Sequence, residues 1–128
     1  MAAARPRGAL EREVLAYLAV AGRPSTAGEV LAGLGGQLAY TTVMTTLSRL
    51  HAKGALTRTS AGRSYVYALA AAPGEVAASV TAHRMRRLLD AGEDRAVVLA
   101  RFVADLGPED ERVLTGLLAA AQPPVEGR

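Results

Sequence analysis

The chain has no cysteine and no tryptophan, and only one phenylalanine and two histidines. Without cysteine it can form no disulfide, no thiolate metal site and no cysteine nucleophile, and the absence suits a reducing compartment. The two histidines, His51 and His83, form no His/Cys/carboxylate cluster with zinc spacing and no plausible catalytic triad. Each reads as a surface or half-buried residue rather than a ligand. Asp90, Glu93 and Asp94 flank a helix break, where acidic caps are expected, and no phosphate-cradling P-loop occurs. No apolar run approaches the roughly 18 residues of a membrane span. Met1 to Leu10 lacks the long apolar core of a signal peptide. These absences predict a cytoplasmic protein that is not an enzyme and carries no cofactor.

What is present is a core and an uneven charge. Half of the 128 residues are apolar, enough for one domain or two very small ones. Residues 1–70 hold eight Arg/Lys against three Glu, or +5, and residues 71–128 hold seven Arg against nine Asp/Glu, or −2, which together give the net +3. Positive charge therefore collects in the first half, as a phosphate-contacting module requires.

The most informative stretch is Thr41 to Leu69, TTVMTTLSRLHAKGALTRTSAGRSYVYAL. Val43, Thr46, Leu47 and Leu50 recur at helical spacing and predict a buried stripe. The opposite side carries Thr41, Thr45, Ser48 and Ala52, with Arg49 at its edge. A solvent-facing helix ordinarily carries Glu, Lys and Gln there. Hydroxyls and methyls can instead approach base-pair edges closely, because Thr and Ser both donate and accept and a Thr methyl packs on a thymine methyl. A helix packed on a neighbouring domain would use small residues too. Lys53-Gly54 is a helix stop. Leu56 to Thr59 and Tyr65 to Leu69 read as strands around a Ser60-to-Ser64 loop, so the whole is a helix followed by a hairpin wing. Arg58 and Arg63 sit on or beside that wing, where they can touch phosphates or simply aid solubility.

The remainder of the chain fits around this unit. Arg5 and Arg7 lie in an Ala/Pro/Arg-rich start that can trail along a phosphate backbone. A first helix is expected over Ala9 to Val20, closed by Ala21-Gly22. Arg23-Pro24-Ser25 has room for only a very short strand. Thr26 to Glu29 is a capping box that starts a second helix near Ala27, stopped by Gly35-Gly36. That helix and the Thr41 helix form a helix-turn-helix pair. Ala70 to Gly74 marks a boundary, giving a DNA-binding domain over 1–71 and a helical domain over 72–128. Three helices are expected in the latter, over about 75–90, over about 93–106 and after Gly107-Pro108, with a polar tail from Gln122. They are strongly apolar but too short to be stable alone, so a second copy or the N-terminal domain must cover them. Val80, Leu88, Leu89, Val98, Phe102, Val103, Leu106, Leu114 and Leu117 are the candidate dimerisation residues.

The runs Ala39-Tyr40-Thr41-Thr42-Val43-Met44-Thr45-Thr46-Leu47-Ser48-Arg49-Leu50, Lys53-Gly54 and Gly62-Arg63-Ser64-Tyr65-Val66-Tyr67 resemble the penicillinase-repressor (BlaI/MecI/CopY) family of bacterial winged-helix repressors. The similarity is close over the first 70 residues and extends to the rest only as helical pattern. It implies a mainly α fold with a small β-hairpin: a winged helix-turn-helix domain plus a helical dimerisation domain. It also implies operators built on TACA/TGTA half-sites and control of β-lactamase or antibiotic-response genes. Relatives often place a basic residue at the positions of Thr41 and Met44, so operator detail is expected to differ here. The copper-responsive branch carries a C-terminal cysteine motif that this chain lacks. The resemblance further implies a membrane sensor protease that brings about cutting before a Phe in the dimerisation domain, matching Arg101-Phe102. Phe102 can equally be a plain core anchor, at i+4 from Val98.

The expected function is a homodimeric repressor on double-stranded operator DNA. Thr41, Thr42, Thr45 and Ser48, with Met44 beside them, face the bases, and Arg49, Lys53, Arg58 and Arg63 face the phosphates. The competing reading is a winged-helix module that docks a protein through the same small-residue face.

Overall fold

Reciprocal capping opens the second helix where the sequence spacing predicts it. In the computed structural model, which describes residues 8–35 and 37–123, the Thr26 hydroxyl accepts the Glu29 N–H at 3.1 Å. The Glu29 carboxylate in turn accepts the Thr26 N–H at 2.8 Å. That backbone hydrogen bond holds the Glu29 carboxyl below its ordinary value, with Arg23 adding to the effect against some desolvation. Arg5, Arg7, Gly36 and most of the polar tail lie outside the described residues.

Helix α1 (Ala9–Ala21) precedes a two-residue strand β1 (Ser25–Thr26), α2 (Ala27–Gly33) and α3 (Tyr40–Ala52). Strands β2 (Leu56–Ala61) and β3 (Ser64–Leu69) follow, and β3 is the centre of an antiparallel sheet of order β1-β3-β2. A helix-turn-helix closed by such a hairpin is a winged helix. Its core joins Val14 and Leu18 of α1, Val30 of α2, Val43, Leu47 and Leu50 of α3, and Leu56 and Tyr67 of the sheet. Thr46 belongs to the same buried stripe, and its hydroxyl is satisfied by donating to the Thr42 carbonyl at 2.9 Å.

The hairpin is tighter than expected. Ala61 pairs with Ser64, so only Gly62 and Arg63 form the turn, and Gly62 supplies the positive φ of 65° at the first turn position. A five-residue loop over 60–64 would have set Arg58 opposite Val66. The observed register sets it opposite Tyr67, so the face of β2 that carries Leu56 and Arg58 is shared with Tyr65 and Tyr67 rather than with Val66.

Helix α3 ends in a Schellman motif. Gly54 N–H bonds to the His51 carbonyl at 3.1 Å and Ala55 N–H to the Leu50 carbonyl at 2.9 Å, with Gly54 at φ 87°. Ala55 and Leu50 are both buried, which is the apolar contact that accompanies the motif. A 3-10 turn (Pro73–Glu75) then leads into α4 (Val76–Ala91), whose first turns return to this corner. Val76 is buried in the core and Val80, expected among the dimer residues, is partly buried against it, so it already packs on the winged helix. The Ser79 hydroxyl donates to the Gly54 carbonyl at 2.9 Å. The first compact unit accordingly runs to Arg87, beyond the compositional junction at Ala71.

The second unit begins at Leu88 and contains the end of α4, α5 (Arg95–Ala104) and α6 (Pro108–Ala121). The Asp94 carboxylate caps α5 by accepting the Val97 N–H at 3.2 Å, so this helix starts two residues later than its apolar pattern suggests. Arg95 and Asp90 pair across the break. No described residue from Leu88 onward is buried.

A Cβ on Gly54 would lie 2.4 Å from the Cβ of His83, so the site needs glycine for space as well as for its positive φ. Gly62→Ala shares the backbone strain but meets nothing within 4 Å. Urea unfolding should therefore show Gly54→Ala costing about 1–3 kcal/mol, more than Gly62→Ala, because α4 must also move. Equal losses at the two positions would show that the α4 contact contributes nothing.

Candidate nucleic-acid interface

Burial of Val43, Thr46, Leu47 and Leu50 fixes the rotation of α3, and so decides what the helix presents outward. Thr41, Thr42, Met44, Thr45, Ser48, Arg49 and Ala52 are all exposed. Met44 is 43% exposed although apolar, and with Tyr40 at 47% it flanks the hydroxyl-bearing face. No carboxylate lies on α3 at all. Its one permanently cationic side chain, Arg49, sits in the last turn, where it also suits the helix dipole, with His51 beside it.

An open groove of about 620 Å³ runs between α3 and the second strand, lined by Met44, Thr45, Ser48, Arg49, His51, Ala52 and Arg58. The candidates Met44, Thr45, Ser48 and Arg49 of α3 thus share one concave surface with Arg58 of the wing. Thr41 and Thr42 lie one turn nearer the start of α3, outside the groove lining.

The two wing arginines part company. Arg63 is exposed at the tip of the hairpin. Arg58 is held over the Tyr65 ring, 4.2 Å from guanidinium carbon to centroid, and Tyr65 in turn meets Tyr67 edge-on at 6.3 Å. An anchored guanidinium loses less freedom on meeting an anion than a free one. Lys53 behaves differently from its expected role, since its ammonium contacts both oxygens of Glu11 at 3.0 Å. That pair ties the end of α3 to α1, and a phosphate must compete with a carboxylate for the cation.

His51 and Tyr65 have roles that the sequence did not disclose. His51 lines the groove, and burial first, then the charge of Arg58 and of His83, push its imidazole below the ordinary 6.5. Its place was readable as the last-turn neighbour of Ser48; its neighbours Arg58 and His83 were not, because they arrive from the sheet and from α4. Tyr65 reaches Arg58 only through the two-residue turn.

On the second unit, Leu88 is 77% exposed, Leu117 62%, Val103 51%, Phe102 48% and Val98 41%. Leu89, Leu106 and Leu114 are half-buried. The Arg101-Phe102 bond lies in the last turns of α5. No helix among the described residues is long and apolar enough to cross a membrane.

The penicillinase repressor family matches this chain over residues 7–120. Two relatives, each named transcriptional regulator BlaI, come from Mycobacterium tuberculosis strains H37Rv and CDC 1551. They are 32% identical over 114 residues, which span 88% of this chain and 82% of theirs. Similar solved structures include the transcriptional regulator Tm0710 from Thermotoga maritima, 26% identical with a TM-score of 0.45, covering 88% of this chain and 71% of that one. YusO from Bacillus subtilis is 21% identical with a TM-score of 0.47, covering 89% and 75%.

Proposed function

The chain belongs to the penicillinase repressor family, whose members are DNA-binding transcriptional regulators and not enzymes, and from that premise we propose that it is a cytoplasmic homodimeric repressor of an inverted-repeat operator. The observation that carries the reading is the outward face of α3: Thr41, Thr42, Thr45 and Ser48 exposed together, without a carboxylate, beside Arg49. Such a face enters a major groove, where Thr and Ser meet base edges and TACA/TGTA half-sites present thymine methyls. Arg49, Arg58 and Arg63 meet the backbone and set the register. Lys53 joins them only by leaving Glu11. The regulated genes, on the family's pattern, are those of a β-lactamase or another antibiotic response.

The second reading, a winged helix that docks a protein, predicts little response to salt. A gel shift on a TACA/TGTA inverted-repeat duplex and on a scrambled one, at two salt concentrations, separates the two, because each phosphate contact releases counterions. Thr45→Ala should cost about 1–3 kcal/mol on the operator and relax preference at one base pair. Arg49→Ala should weaken both duplexes alike and lower the salt slope by roughly 1. Equal losses on both duplexes for Thr45→Ala would end its assignment as a base reader.

Dimerisation through the C-terminal helices is supported by their lack of any buried residue among those described. Large apolar side chains left at 41–77% exposure over one small unit are the mark of a contact surface. Leu117→Asp in the full chain should give a monomer in sedimentation velocity. Operator affinity should fall by on the order of a hundredfold, because two heads no longer share one effective concentration. A Leu117→Asp protein that remains a dimer would remove α6 from the interface.

Relief of repression by a membrane sensor protease is the finer form of the same proposal. A cut at Arg101-Phe102 would separate α6 and the end of α5 from the reading head. Cells exposed to an inducing antibiotic should then yield a fragment that begins at Phe102. An intact chain throughout induction, with operator occupancy lost, would exclude cutting and leave Phe102 as a dimer contact.

A further inference from the structure

We propose that a pocket of about 450 Å³ on the first unit, bounded by the end of α3, strand β2 and the first turns of α4, is a binding site for a small free oxyanion, a phosphate or carboxylate compound. Its polar lining is Thr57 and Arg58 from β2, His51 from α3, and Ser79 and His83 from α4. Three elements thus deliver a guanidinium and two imidazoles to one concavity, and no carboxylate lines it. Burial first, and then the charges of Arg58 and of His83, disfavour the protonated form of His51.

The chemistry selects the ligand class. Arg58 supplies a planar fork suited to two oxygens, and the imidazoles supply N–H donors whether neutral or charged. The Ser79 hydroxyl is already spent on the Gly54 carbonyl. A metal ion is disfavoured, because a permanent cation sits among the histidines and the described residues hold no group of three metal-ligating side chains. The pocket is built rather than incidental: His83 reaches it only because residue 54 lacks a side chain, and Arg58 only because the two-residue turn places it on the face of Tyr67.

The site lies next to the groove, and His51 and Arg58 line both. An anion in the pocket draws the Arg58 guanidinium from a backbone phosphate, so anion and DNA oppose each other by the same factor in both directions. This coupling rests on the proposed DNA reading; the pocket itself does not. Anion affinity rises as the pH falls, because a bound anion favours both imidazolium forms.

Because the chain has only two histidines, His51 and His83, each imidazole can be followed individually. The full-length protein is titrated with inorganic phosphate, with chloride balancing ionic strength, and the imidazole carbon and proton resonances are recorded across pH. Both histidines should shift saturably with phosphate, and both titration midpoints should rise. Arg58→Gln should weaken the response roughly tenfold or more. His83→Gln, which keeps the contact at Gly54, should weaken it while leaving the fold intact by circular dichroism. Identical spectra in phosphate and chloride, or an unaltered response in Arg58→Gln, would overturn the site. In a second arm, operator duplex should displace phosphate. A duplex that by itself raises the His83 midpoint in phosphate-free buffer would identify a DNA phosphate as the occupant and overturn the free-ligand proposal. The phosphate arm needs no DNA, so a duplex that fails to bind would count against the DNA reading alone.

Discussion

The winged helix turns on one residue without a side chain. At Gly54, α3 is terminated, the backbone is turned towards the sheet and α4 is received, all within one peptide unit. Its positive φ closes the Schellman motif, its carbonyl takes the Ser79 hydroxyl, and the space where a Cβ would stand is filled by His83. The neighbouring Ala55 carries the connection further, because its N–H bonds back to Leu50 and its carbonyl accepts the Ala70 N–H at the end of β3. The direction in which α3 presents its outer face therefore depends on the same corner that anchors the wing and the first turns of α4. Rearrangement there would be felt at the groove, even though Gly54 itself faces no ligand.

Local chemistry made most of the first unit readable from the sequence. The capping box at Thr26, the stop at Gly54 and the buried stripe of α3 each depend on residues within a turn or two of one another. Pairings that depend on longer range were not readable. Lys53 meets Glu11 across 42 residues, and nothing in the sequence near either predicts it. The hairpin shows how a small local error spreads: a loop read as five residues instead of two changes which residues of β3 share a face with Arg58. The grouping of the candidate residues changed with it, and Arg58 lies with His51 and His83 as well as on the wing with Arg63.

The second unit poses the opposite problem. Its helices were legible as elements, because Asp94, Pro108 and the acidic first turn of α6 are strong start signals. What they pack against was not legible, since apolar periodicity marks a face to be covered and says nothing about the cover. The helices hold their backbone hydrogen bonds but bury no described side chain. A unit of that kind gains little hydrophobic stabilisation by itself. Its exposed leucines and valines would gain stability if a partner removed them from water, and in the proposed dimer this would couple folding of this part of the chain to assembly.

The division of charge follows from that coupling. If the C-terminal helices meet a second copy, their slightly acidic surface does not attract DNA, while the basic first seventy residues do. Phosphate attraction alone would hold either head on any duplex, and hydroxyl contacts alone would be too weak to hold one head anywhere. Two linked heads change the balance: each needs only modest affinity, because the second binding event is intramolecular. Modest affinity per head also makes the assembly easy to release. In the proposed dimer, loss of the dimer contact or of one guanidinium from the backbone would weaken the hold on the operator. On the proposed function, the small, weakly polar face of α3 belongs with the uncovered helices that follow it, because one head of modest affinity would need a second to hold an operator.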